Sequence, residues 1–373
     1  MTRTRRSKHS KYSKRALLVA LTAVSLVAVT ACSSSSKPAA QPGASTTVAP
    51  RITTVRLLTH SSFAASPAVL ADFTKQTGYR VKLVQPGDAG LVVDEAILRK
   101  DSPVADALFG VDNTFLTRAL DAGIFEPYTA RGLDTVPAKL QVDPQHRVTP
   151  IDDSDVCVDF DKSWFGHDGR PAAPASLDDL VQPAYKNLTV VENAATSSPG
   201  LAFLLATIAA HGVDGWKAYW DALKKNGVRV DDDWSQAYEN DFTAGGKSGD
   251  RPIVVSYGSD PAADVVGSTP HRNTPNIGVV ASTCFRQMEF AGVLHGAHNV
   301  PGAQALVDFM LTRRFQQDMP LQMYVNPIVN GATLPVEFTK WAVDPPHPYW
   351  VDPAMISAHR TEWIKDWTDR VVR

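Results

Sequence analysis

Polar, acidic and aromatic side chains gather in seven short segments, most of them placed where a predicted strand ends or a predicted helix begins. The segments are 59–63, 110–113, 152–155, 196–200, 233–238, 256–258 and 323–327. Ligand sites of α/β proteins form at such strand ends. Hydroxyl and carboxylate groups bind polar or cationic solutes, and aromatic faces stack on them. The sequence therefore predicts a small-molecule site built from several loops.

Some of these residues also have a purely structural interpretation. Ser197, which a proline follows two positions later, is typical of a helix N-terminus, although the N–H groups of that turn equally suit an anion or a polar ligand. Asp112 is placed to cap a helix predicted from Thr114. Trp234 and Tyr238, four positions apart, would also pack together in a core. The sequence alone leaves both interpretations open.

Motifs of the common catalytic and metal sites are absent from the sequence. It contains no G-x-S-x-G elbow, no P-loop, no H-E-x-x-H pair and no cysteine–histidine spacing for zinc. His295 and His298 lie three apart without a carboxylate pattern, and the aspartates at 231–233 lack the glycine and glutamate spacing of a calcium loop. The sequence therefore favours a binding protein over an exported hydrolase, with no metal site.

The N-terminus has the three parts of a secretory signal peptide. Seven basic residues precede position 16, the run 16–30 is largely apolar, and a small residue leads to Cys32. The run is shorter than the ~20 residues that span a bilayer, which argues against a transmembrane anchor. The segment 29–32 resembles the bacterial lipobox, whose cysteine is lipidated and becomes the first residue. We predict a signal peptide over 1–31 and a lipid on Cys32 that holds the protein at the extracytoplasmic face of the cell membrane.

The next segment, residues 32–51, is rich in Ser, Ala and Pro and predicts a flexible tether. The chain has 37 basic and 39 acidic residues, and seven of the basic ones lie in the signal region, which leaves the remainder with a net charge of about −9. This balance argues against nucleic acid as a partner and is compatible with a cationic ligand.

The two other cysteines, Cys157 and Cys284, lie in strand-like runs 127 positions apart. In an exported chain such a pair is expected to form a disulfide, and two buried free thiols are the alternative. A bond would restrict the unfolded chain strongly, because it closes a long loop.

Strand-like and helix-like stretches alternate through the rest of the chain. Strands are predicted at 54–59, 80–84, 105–110, 156–160, 188–192 and 253–257, and helices at 66–76, 94–100, 114–122, 176–180, 200–210, 213–225, 300–311, 314–319 and 352–372. Gly78 follows the first helix as a C-cap. This alternation predicts an α/β fold with a largely parallel sheet.

Taken in order, several of these segments resemble a known family. TSSPGLAFLLA (196–206), DWSQAY (233–238) and VVSYGSDPAA (254–263) are similar to the periplasmic thiamine-binding proteins of ABC importers. LLTHSSFA near the start, ADALFGVDNTFL (105–116), MPLQMYVNPIVNGATLP (319–335) and the closing HRTEWIKDWTDRVVR extend the resemblance over nearly all of 54–373. The wider family includes iron(III)- and phosphonate-binding proteins.

The resemblance implies a two-lobed fold of the type II periplasmic-binding-protein kind, with a ligand cleft between the lobes. Lobe 1 would comprise residues 52–150 together with about 285–373, and lobe 2 residues 151–284. The implied ligand is thiamine or a thiamine phosphate, without any cofactor. The implied partners are the permease and ATPase subunits of an importer, to which the protein, expected to be a monomer, would deliver its ligand.

Residue by residue, the resemblance assigns the aromatic walls of the site to Trp234 and Tyr257. Tyr324 lies where the family has tryptophan, and stacking survives that change. Ser197 would bond the polar end of the ligand, and Asp112 would supply negative charge.

Other positions depart from the family pattern. Ser61 replaces an aspartate and His60 the tyrosine before it. The family's Asp-Tyr-Gly stretch reads 152–154 as Asp-Asp-Ser, so that Asp153 adds charge. Ala263 replaces a tyrosine. Ser61 and Asp153 therefore join the candidate ligand-binding residues. A receptor for iron(III) or a phosphonate remains the alternative within the family, although the sequence has no Tyr-Tyr pair, and a sensor or adhesion lipoprotein is the alternative outside it.

Overall fold

The computed structural model describes residues 53–246 and 249–373, so the predicted signal peptide, Cys32 and the tether lie outside the described residues. The strands are β1 (Thr54–Leu58), β2 (Arg80–Val84), β3 (Ala107–Asp112), β4 (Phe125–Glu126), β5 (Thr149–Asp161), β6 (Thr189–Glu192), β7 (Arg229–Asp231), β8 (Ile253–Tyr257), β9 (Ile277–Leu294) and β10 (Asn326–Pro327). The helices are α1 (Pro67–Thr77), α2 (Ala89–Leu98), α3 (Leu116–Asp121), α4 (Ser198–Lys225), α5 (Asp260–Gly267), α6 (Val300–Met310), α7 (Arg313–Gln316), α8 (Met319–Gln322), α9 (Val336–Trp341) and α10 (Pro353–Trp367).

All ten strands belong to one mixed sheet. Its main order is β2-β1-β3-β9-β5-β8-β6-β7, with β4 paired to β9 and β10 to β5. The outer pairs β2-β1-β3 and β8-β6-β7 are parallel, whereas the central pairs around β9 and β5 are antiparallel. The prediction of a largely parallel sheet is therefore wrong for its centre.

The two central strands are much longer than their sequence patterns indicate. β5 has 13 residues and β9 has 18, and they pair with each other over most of their length. Polar residues inside both strands, such as Asp155 and Gln287, interrupt the apolar alternation that normally identifies a strand. These interruptions explain why only the parts near the cysteines were predicted.

Several local predictions are confirmed by the backbone. α1 is capped by Gly78, which has φ 77° and donates its N–H to the Thr74 carbonyl. The two predicted helices of 200–225 form α4, which is broken at Gly212 with φ 72°. Within residues 53–246 and 249–373, no helix has the length and apolar character needed to cross a membrane.

The core contains large aromatic side chains on both sides of the α4 break and on α10. Trp220 packs edge-to-face on Trp367 with ring centroids 5.5 Å apart, and both are fully buried. Cys157 and Cys284 are joined by a disulfide that links β5 to β9, which confirms the predicted pairing. The long central strands are thus held by the sheet, the core and a covalent bond.

Candidate ligand-binding site

A cavity of about 240 Å³ opens where the loops at several strand ends meet. Its lining includes His60 after β1, Asp88 before α2, Trp234 after β7, Tyr257 at the end of β8, Glu289 within β9 and Tyr324 between α8 and β10. Parallel strands present their carboxyl ends at one edge of a sheet, which brings these distant segments together.

Asp88 connects two walls of this cavity. Its Oδ1 accepts the N–H of Ala89 at 2.8 Å and so caps α2, while its Oδ2 accepts the N–H of Trp234 at 3.3 Å. Gly90, in the first turn of α2, donates its N–H to the Thr196 carbonyl at 2.9 Å, and a Cβ there would lie 2.7 Å from that oxygen. The close approach requires glycine and fixes α2 against the start of α4.

The aromatic wall is held in place by its own contacts. The Trp234 ring stacks on Tyr238 at 4.7 Å between centroids, and its Nε1 donates to the Ser256 hydroxyl at 2.9 Å. Tyr257 lies 6.4 Å from Trp234, tilted by 52°. Tyr324 has φ 59°, a conformation that costs a non-glycine residue on the order of 1 kcal/mol.

The cavity is acidic. Asp88, Glu239, Asp260 and Glu289 line it, and within the described chain its lining contains no lysine or arginine. Burial raises the pKa of Asp88 and raises that of Glu289 well above its ordinary value. Burial also raises the pKa of Asp260 to about 6. Such a site favours a positively charged group, which lowers the cost of ionising these carboxyls.

A histidine approaches the acidic side without adding charge. The His60 Nε2 lies 3.6 Å from Glu289 Oε1, and its Nδ1 lies 2.8 Å from the Ser62 hydroxyl. Burial lowers the pKa of His60 to about 4, so the ring is neutral at pH 7. The His60 ring fits over Gly110, where φ is 95° and a Cβ would lie 2.3 Å from the ring.

The family profile of bacterial extracellular solute-binding proteins matches residues 102–342, well over half of the chain. The chain belongs to this family. Membership identifies it as a binding protein rather than an enzyme.

Individual relatives agree with this membership. The chain is 27% identical over 320 residues to the thiamine-binding periplasmic protein of Escherichia coli (strain K12), covering 84% of this chain and 92% of the relative. It is 27% identical over 324 residues to the thiamine-binding periplasmic protein of Brucella suis biovar 1 (strain 1330), covering 84% and 91%.

Solved structures show the same fold. A periplasmic thiamin-binding protein superposes with a TM-score of 0.75 at 26% identity, covering 86% of this chain and 96% of that one. The predicted α/β fold of the type II periplasmic-binding-protein kind is thereby confirmed.

Four of the predicted ligand-binding residues line the cavity of this solute-binding protein. They are Ser61, Trp234, Tyr257 and Tyr324. Ser197 is fully buried just outside the lining, near Asp88, where its hydroxyl lowers the pKa of that carboxyl.

The two predicted aspartates lie elsewhere. Asp112 is fully buried, and its Oδ1 accepts the N–H groups of Thr114 and Phe115 in the turn that precedes α3; the helix itself begins at Leu116, later than predicted. Asp153 does not line the cavity; it lies near Arg286 and is the registered partner of Asn326 in β10. Neither aspartate lines the cavity, although Asp112 is the registered partner of Glu289, which does.

Asp88 and Glu289 line the cavity but were not among the residues predicted from the sequence. The signal for Asp88 was a helix-capping pattern, because residues 87–90 read Gly-Asp-Ala-Gly before an apolar helix. Glu289 had no such signal, since an acid inside a long strand is normally expected on the solvent face. Among the residues that the structure describes, no group of three or more His, Cys, Asp or Glu side chains is arranged to hold a metal ion.

Proposed function

We propose that this protein is the thiamine receptor of an ABC importer. It captures thiamine in the cavity between lobe 1 (52–150 with about 285–373) and lobe 2 (151–284), and delivers it as a monomer to permease and ATPase subunits. The observation that carries the proposal is the combination of stacked aromatic rings and buried carboxyls in one cavity whose described lining has no basic charge.

Thiamine suits this combination chemically. Its thiazolium ring is a permanent cation, which an aromatic face attracts by roughly 1–2 kcal/mol when water is excluded. A carboxylate a few ångströms away adds further attraction in a medium of intermediate dielectric. Its aminopyrimidine ring offers donors and acceptors for hydroxyl groups such as that of Ser61. The names of the relatives, which are thiamine-binding proteins at 27% identity, support the same ligand.

A thiamine phosphate is the alternative ligand within this proposal. Its anionic group would be repelled by Asp88 and Glu289 but attracted by the N-terminus of α4 beside Ser198, which also lines the cavity. Titration with both compounds decides which one the site prefers.

The proposal includes a lipid on Cys32. A lipid anchor and the tether 32–51 would keep the receptor near its permease, at the extracytoplasmic face of the cell membrane. The tether would allow it to move between capture and delivery. The test is cell fractionation of the wild type and Cys32→Ser. The wild type is expected in the membrane fraction and the variant in the soluble fraction; equal membrane association would contradict the anchor.

The ligand is tested by tryptophan fluorescence and thermal shift of the purified protein. Thiamine, thiamine monophosphate, thiamine diphosphate and ferric ion are titrated separately. Thiamine is expected to change the Trp234 emission and raise Tm at micromolar concentrations. Absence of both effects with thiamine, or a response to ferric ion alone, would overturn the proposal.

A further inference from the structure

Three carboxyl side chains lie side by side across the centre of the sheet. Asp112 on β3 and Asp152 on β5 are both the registered partners of Glu289 on β9. Directly opposed residues of antiparallel strands project from the same face, so the three form one acidic row. All are buried, and Glu289 also lines the cavity.

Within this row, Asp152 and Glu289 are directly opposed on neighbouring strands. Neither oxygen of Asp152 has an N–H or hydroxyl donor within hydrogen-bond distance in the described chain, and each of the two carboxyls shifts the pKa of the other. Two carboxyls form a hydrogen bond only when one of them keeps its proton. Burial raises the pKa of Asp152 to about 8 and that of Glu289 in the same direction. In the ligand-free protein, the Asp152–Glu289 pair therefore holds a proton at neutral pH.

The groups around the pair supply no positive charge that would stabilise its ionised form. His60, whose Nε2 is 3.6 Å from Glu289 Oε1, is the basic group that faces it, and burial lowers the pKa of His60 to about 4. The ring is thus neutral at the pH where the pair is protonated.

The other titratable groups near the pair are acidic or phenolic. Asp112 on β3 and Asp88 before α2 face Glu289, and both raise its pKa by repulsion. Asp153, the next residue on β5, does the same for Asp152. Tyr257 at the end of β8 is partly buried, and its pKa is raised well above the usual value, so that its hydroxyl is neutral.

We propose that the Asp152–Glu289 pair selects for a positively charged ligand by releasing its proton to solvent when the cation enters the cavity. The inference rests on the proposed function, because it takes thiamine as that ligand. A unit charge about 5 Å from the pair, at an effective dielectric of about 20, lowers the pKa by about two units. A neutral solute of the same shape leaves the proton in place and gains no ionic contact.

The test is titration calorimetry of the exported protein with thiamine at pH 7, in phosphate and in Tris, whose ionisation heats differ. The difference in heat counts the protons released, and approximately one per thiamine is expected. The dissociation constant is expected to fall up to about tenfold per pH unit between pH 6 and pH 7.5. A neutral analogue with thiophene in place of thiazolium should bind more weakly and release no proton.

Variants locate the effect. Glu289→Gln should abolish proton release and flatten the pH dependence, and Asp152→Asn should do the same as an independent variant. Glu239→Gln is the matched control, because Glu239 is an exposed carboxylate at the same cavity; it should keep the proton release whatever its affinity. Tm of each variant shows that it folds.

The outcomes separate the two proposals. Thiamine binding without net proton release, or unchanged release in both Glu289→Gln and Asp152→Asn, would overturn this inference and leave the thiamine receptor standing. Failure of the wild type to bind thiamine at all would overturn both.

Discussion

Replacing Trp234 by alanine is expected to weaken thiamine binding by a factor of about 30 to 150. The ring lines the cavity, is stacked on Tyr238 at 4.7 Å, and is fixed by its Nε1 bond to Ser256. It is therefore already oriented before a ligand arrives, and little entropy is lost when the ligand stacks on it. Losing a desolvated cation–π contact and its apolar area costs about 2–3 kcal/mol, which corresponds to that factor.

A graded series distinguishes the ring from its hydrogen bond. Trp234→Phe keeps an aromatic face but loses the donor to Ser256 and part of the ring area, so we expect a loss of about fivefold, or roughly 1 kcal/mol. Trp350→Ala is the matched control, because Trp350 is 43% exposed and stacks on Phe285 away from the cavity lining. It should leave the affinity unchanged.

The assay is equilibrium binding of thiamine followed by calorimetry, with Tm as the check on folding. A Trp234→Ala protein that folds and binds within twofold of the wild type would refute the assignment of this wall, although not the membership of the family. A loss as large in Trp350→Ala would show that the effect is not specific to the cavity.

Three further predictions concern stability. The double variant Cys157→Ser/Cys284→Ser should lose up to about 5 kcal/mol of unfolding free energy, because the disulfide joins residues 127 positions apart. Denaturant melts with and without reductant measure this loss, and an unchanged midpoint would contradict the prediction. Gly200→Ala should cost about 1–3 kcal/mol of unfolding free energy, because its Cβ would lie 2.5 Å from a backbone carbonyl oxygen at the end of β6. Gly267→Ala is the control, since its Cβ would meet no atom closer than 3.8 Å, and should be near neutral. Finally, because burial raises the pKa of Asp152 to about 8, the folded state binds a proton that the unfolded chain has released above pH ~4. Tm of the ligand-free protein should therefore fall between pH 5 and pH 8, and Asp152→Asn should flatten that slope; a wild-type Tm that rises over this range would show that the sign is wrong.

Local elements were predictable because their signals are local. The strands Arg80–Val84 and Ile253–Tyr257 and the capped helix Pro67–Thr77 follow from alternation, apolar runs and a glycine cap within a few residues. The helix Asp260–Gly267 was not predicted from the sequence. The full length of the strand Ile277–Leu294 was not predicted either, because its polar residues interrupt the alternation and its extent is set by pairing with distant strands.

The candidate site likewise contains residues that the sequence predicts and residues that only the structure places there. Trp234 and Tyr257 were identified because they fall in short segments with a recognisable order along the chain. The position of Glu289 depends on its registers with β3 and β5, which join residues more than 100 positions apart. Neither register is visible in the sequence, so the acidic row required the structure. The boundaries of the two lobes stay a prediction.

The central claim is that the cavity binds thiamine. Equilibrium dialysis of the purified protein against labelled thiamine tests it most directly, with Trp234→Ala dialysed in parallel. We expect one thiamine per chain at micromolar concentration or below, displaced by unlabelled thiamine and not by ferric ion, with much less retained by the variant. No retention of thiamine by the folded wild type would contradict it.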